Sequence, residues 1–183
     1  MLRAPQGRLI TCKEPSVAVL GPPNVAKLEA AGKIERLVRA AKYKKDPAIQ
    51  ADARRALTEF MDKIIQRLDT KNLPQLSTSR EALVIIGEPA RDRLIFVLRE
   101  GHLHRRQDAA YVLGMMGDPV AVEPLCVALH NPDALLRLIV VEALGKIGDP
   151  EAKETLERAL ADPEPRIDKA ARKSLDRIER QAH

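Results

Sequence analysis

Histidine and cysteine most often carry nucleophilic, acid–base or metal chemistry near neutral pH, and this chain has few of them: His102, His104, His130, His183, Cys12 and Cys126. The two cysteines form neither a metal-binding nor a redox spacing. Cys126 lies between Leu125 and Val127, with Leu129 close by, and reads as a small buried hydrophobe. No Ser-His-Asp arrangement, phosphate-cradling glycine loop or zinc pattern occurs. The expectation is a chain without catalytic residues, metal or cofactor.

What remains is the chemistry of charge and contact. Lys33, Arg36, Arg39, Lys42, Lys44 and Lys45 crowd together near the front. Residues 1–45 hold ten Lys/Arg against three Asp/Glu, whereas residues 46–183 hold 21 against 23. The formal net charge of +5 therefore belongs to the front, which admits nucleic acid or another acidic surface as a partner there. A structural role competes with that reading, because "KYKKDP" places three lysines at a helix end, where the macrodipole favours them.

The elements that must position these groups are helical. With 45% hydrophobic residues, no Trp, two Tyr and two Phe, the core is built from aliphatic contacts. No run approaches the roughly 20 apolar residues of a membrane span, and the start lacks a signal-peptide core, so a cytoplasmic chain with reduced thiols is expected. In "GDPVAVEPLCVALHNPDALLRLIVVEALGKIGDP", residues 117–150, Gly-Asp-Pro returns after 31 residues. Gly closes one helix, Asp caps the next, and Pro suits its first turn. Asn131-Pro132 and Asp162-Pro163 are expected to open helices in the same way.

Apolar residues between these signals recur at helical spacing. Leu57, Leu83, Leu113, Leu144 and Leu175 fall in register on the second helix of successive hairpins, and Leu37, Ile64, Leu94, Leu125 and Leu156 on the first. Five units follow, at about 24–60, 61–87, 88–117, 118–148 and 149–183, behind an extended arm at 1–23 in which "RLITC" and "SVAVL" could form short strands. No unit can bury its apolar stripe alone, which predicts an all-α stack of hairpins. Pro74 and the Ser/Thr-rich segment after it predict a shortened or shifted second helix in the second unit. His102, His104 and His130 fall at the same turn of adjacent units, about 8–10 Å apart by helix spacing, too far for shared coordination.

The quoted string and "GDPEAKETLERALADPEPRIDKAARKSL" resemble HEAT-like repeats of the kind grouped around phycobilisome bilin lyases. The resemblance implies a right-handed α-solenoid whose second helices line a concave face. It also implies structural arginines at Arg106 and Arg137 that tie adjacent repeats, with Asp118 or Asp149 as partner; Gln50 and Asp168 stand where the first and last units would carry that arginine. Family members include interaction scaffolds, bilin lyase subunits, metal-dependent hydroxylases and DNA glycosylases. The His-Glu pairs of the hydroxylases are missing here, since His102 precedes Leu103, His104 precedes Arg105 and His130 precedes Asn131.

Counting outward along the second helices places Ala51, Arg55 and Glu59; Gln107, Tyr111 and Met115; Leu138, Glu142 and Lys146; and Lys169, Lys173 and Arg177 on one surface. Tyr111, Met115 and Leu138 form an apolar middle between cationic ends, the composition of a docking patch. The functional expectation is a non-catalytic protein-interaction scaffold using this surface. The alternatives are a bilin lyase or chromophore-protein chaperone-like subunit, and a binder of nucleic acid or an acidic surface through the basic front.

Overall fold

Asp, Asn and Gly set the helix ends. The computed structural model describes residues 23–181. Among them eleven α-helices follow one another: α1 (Val25–Ala30), α2 (Ile34–Ala41), α3 (Pro47–Glu59), α4 (Met61–Gln66), α5 (Leu73–Ile86), α6 (Glu88–Glu100), α7 (Leu103–Met116), α8 (Val122–Ala128), α9 (Ala134–Ile147), α10 (Lys153–Ala159) and α11 (Pro165–Gln181). No strand occurs among the described residues. "RLITC", "SVAVL", Cys12 and His183 lie outside them, as does the expected arm apart from Pro23.

The Gly-Asp-Pro signal resolves into two steps. Gly117 and Gly148 stop α7 and α9 with φ of 69° and 77°, a left-handed conformation that favours glycine. Asp118 and Asp149 then accept from the backbone N–H of Val120 and Glu151 and open a 3-10 turn before α8 and α10. Asp46, Asn72 and Asp133 cap α3, α5 and α9 directly. Asn131 does not cap α9: it accepts from the N–H of Asp133, which itself reaches the N–H of Leu136 at 2.7 Å.

The register leucines form the spine of the core. Leu37, Leu57, Ile64, Leu83, Leu94, Leu113, Leu125, Leu144 and Leu156 are all fully buried, whereas Leu175 on the last helix is only half-buried. Helices pair as α2/α3, α4/α5, α6/α7, α8/α9 and α10/α11, with α1 an additional helix against α2 and α3. The described residues thus form an all-α solenoid.

Neighbouring second helices meet through small residues. A Cβ on Gly114 of α7 would stand 2.6 Å from the Cα of Ala143 on α9, and one on Gly145 of α9 would stand 2.9 Å from the Cα of Ser174 on α11. Both contacts join residues of the same 29-residue offset, so α7, α9 and α11 repeat one packing geometry. The corresponding positions on α5 and α7 are Val84 and Val112, whose side chains leave no room for so close an approach. α5 packs instead on both α2 and α7.

The second unit departs from expectation at a different place. α5 spans 14 residues, as α7 and α9 do, and Pro74 sits in its first turn, where no N–H is needed. The shortening falls just before α4, where Phe60 alone separates Glu59 of α3 from Met61.

Candidate functional site

Where α5, α7 and α9 run side by side, a cleft of about 390 Å³ opens between them. Its walls come from the turn after α4 (Leu68, Asp69, Thr70 and Lys71), from Leu76 and Arg80 of α5, from His104, Gln107, Asp108 and Tyr111 of α7, and from Leu135 and Ile139 of α9. The helices' own period places these groups, since each lies within a turn or two of its neighbour on the same helix.

Tyr111 is the centre of the arrangement. The Arg80 guanidinium carbon lies 4.7 Å and Lys146 Nζ 4.6 Å from its ring centroid, inside the range for cation–π attraction. Arg80 Nε also donates to Asp108 Oδ1 at 2.9 Å, and its Nη2 donates to the same oxygen. Asp108 is 6% exposed. Burial pushes its carboxyl above the usual aspartate range, and the bonds from Arg80 pull it partly back. Asp69 pairs with Arg105 at the cleft edge. Gln107 Nε2 donates to Asp133 Oδ1 at 3.0 Å, tying α7 to the cap of α9. With both carboxylates paired to arginine, the cleft presents an aromatic ring flanked by cations above an aliphatic floor of Leu76, Leu135 and Ile139.

Several expected site residues are rearranged. Leu138 belongs to the core at 9% exposure. Counting four residues at a time gains about 40° per step on a helix of 3.6 residues per turn, so the row traced back from Lys146 through Glu142 turns under the neighbouring helix by Leu138. The outward row of α9 is Leu135, Ile139, Glu142 and Lys146, with Leu135 47% exposed. Met115 is 48% exposed beyond Tyr111. Lys169 and Lys173 are exposed on α11, as is Arg177. Arg55 is not brought to the cleft; it binds Glu29 of α1 at 3.2 Å and Glu59 at 3.2 Å. Of the basic residues at the front, Lys33 is exposed just before α2, Arg36 and Arg39 on α2, and Lys44 and Lys45 in the turn after it, while Lys42 pairs with Glu81. Cys126 is half-buried rather than enclosed, and His130 Nδ1 lies 3.3 Å from the carbonyl oxygen of Val127.

The inter-repeat ties also use other partners than expected. Arg137 binds Asp162 through Nε at 2.8 Å and Nη2 at 3.0 Å, and donates to the carbonyls of Asn131 and Pro132. Asp162, rather than Asp118 or Asp149, is the partner because it stands at the turn between α10 and α11, level with the start of α9. The guanidinium holds the Asp162 carboxyl below the usual range. One repeat earlier the aspartate is replaced by Asn131, and Arg106 donates to the Leu98 carbonyl at 2.8 Å instead. Asp118 pairs with Arg91 of α6 at 2.8 Å, whereas Asp149 faces no such arginine because the residue one repeat after Arg91 is Val122. Arg80, Asp108 and Leu135 were not legible as site residues, whereas the nearly all-round apolar helix at 134–147 already offered Ile139 as a residue to present to a partner. The available signal was a carboxylate at Asp108 in a register where the next repeat has Ile139.

Residues 92–176 match the family model for HEAT repeats. This part of the chain is built of HEAT-like repeats. The match covers the regularly stacked part, α6 through most of α11. Human deoxyhypusine hydroxylase in complex with glycerol shares 19% identity over 85% of this chain and 77% of its own, with a TM-score of 0.54. An engineered protein shares 18% identity over 85% of this chain and 83% of its own, with a TM-score of 0.52. At such identities the HEAT-like likeness is one of fold. No curated protein matches the sequence. No helix among the described residues is long and apolar enough to cross a membrane.

Proposed function

We propose that this HEAT-like protein is a non-catalytic scaffold that holds a protein partner against the open face of its second helices. The observation that carries the reading is the cleft itself: three consecutive second helices contribute an aliphatic floor and a Tyr111 ring flanked by two cations. Aromatic and arginine side chains in a partly desolvated pocket are the composition that dominates binding energy in protein interfaces. Repeat stacking supports it further, because each hairpin buries one side on its neighbours and leaves a continuous second-helix surface.

The test uses affinity capture from native lysate with the unaltered chain and with Tyr111→Ser/Ile139→Ser, read by mass spectrometry. Proteins retained by the unaltered chain are expected to be lost from the variant while its helical content and thermal midpoint stay near the original. An unchanged set of captured proteins removes this face from consideration.

A further inference from the structure

We infer that the partner of this face is an acidic peptide segment bearing aliphatic or aromatic anchors, an inference that rests on the interaction reading above. The charge on the face is lopsided in a specific way. Both carboxylates within the cleft, Asp69 and Asp108, are paired with arginines of this chain. The cations that continue the same rows are not so paired. Tyr111 and Met115 recur 31 residues on as Glu142 and Lys146, and again as Lys173 and Arg177. The matched contacts of Gly114 with Ala143 and Gly145 with Ser174 show that α7, α9 and α11 stack in this register.

Among the described residues, Lys146, Lys173 and Arg177 make no ion pair, and neither does Glu142, which leaves three free cations against one free carboxylate along these rows. The contact of Lys146 with the Tyr111 ring leaves its ammonium hydrogens available to an incoming carboxylate. Beside this cationic strip lies the aliphatic floor, with Leu135 47% exposed and Ile139 next to it. A peptide that sets Asp or Glu on the strip and an apolar side chain in the cleft satisfies both halves, and the charges would speed its capture and fix its register. Nucleic acid fits less well. Base stacking needs a free aromatic face, and Tyr111 already has two cations of its own chain against its ring.

A random peptide display library selected on the full chain tests this. Enriched sequences are expected to be rich in Asp and Glu around at least one Leu, Ile or Phe. A synthetic peptide of the selected sequence is expected to bind roughly tenfold or more weakly to Lys146→Glu/Lys173→Glu/Arg177→Glu, and more weakly in high salt. The milder K146Q/K173Q/R177Q set gives the same reading with a smaller loss should the reversed set not fold. Neutral or basic winners, or acidic winners indifferent to these changes, overturn the acidic class. Displacement of the peptide by a single-stranded oligonucleotide at equal concentration overturns it in favour of nucleic acid. If non-acidic winners are lost with Tyr111→Ser/Ile139→Ser, the interaction face stands and only its partner class falls. Winners indifferent to both sets of changes, or no enrichment, overturn both.

Discussion

At the scale of single residues, the solenoid is held by arginines that reach from one repeat to a carboxylate of the next turn. The Arg137–Asp162 pair is the best formed, with two bonds and side chains only 14% and 10% exposed. Breaking it leaves a mostly buried charge without its partner. Arg137→Gln is expected to cost about 1–3 kcal/mol, measured by urea unfolding near neutral pH. The pH dependence has a definite sign. The folded-state pKa of Asp162 is depressed, so its contribution is present above the unfolded value of about 4 and is lost as pH falls through the lower folded value. Stability of the unaltered chain should therefore fall more steeply below about pH 4 than that of Asp162→Asn. Equal acid slopes would mean the pair contributes nothing.

At the scale of elements, the decisive contacts are the close approaches between second helices. Gly145 faces Ser174, whose hydroxyl is already committed to the carbonyl oxygen of Val141 at 3.0 Å and cannot swing away freely. Gly145→Ala is expected to destabilise by about 1–3 kcal/mol, as over-packing does, and combining it with Ser174→Gly should restore part of the loss. The thermal midpoints of the single and double variants decide it. Non-additivity is required, because the two sites touch. Recovery absent in the double variant would place the cost in the α9 backbone rather than in the contact.

Across the whole molecule, the stack is not uniform. From α7 to α11 one geometry repeats, whereas at the junction of α5 with α7 valines replace the small residues, and the buried Ser79 hydroxyl has no hydrogen-bond partner. In a quasi-one-dimensional array the weakest junction opens first. Amide hydrogen exchange is expected to be faster in α2–α5 than in α7 and α9, with the two groups opening as separate units. Equal protection throughout would show a single cooperative block.

Much of this fold could be read from the residues alone, and the reason is locality. Helix ends depend on a few neighbouring side chains, so Gly117, Asp118 and Pro119 announce a boundary wherever they occur, and the aligned leucines announce which face each hairpin buries. The fact that Leu37 through Leu156 share one core follows from their repetition. What the sequence could not determine was how one helix is rotated and offset against the next. That placement decided that Leu138 turns inward while Leu135 and Ile139 face out, and that Arg137 meets Asp162. It also brought Arg80 of one hairpin and Asp108 and Tyr111 of the next into one cleft. Period and capping are properties of a single helix, but a cleft belongs to several, and its composition is settled only when their side chains pack.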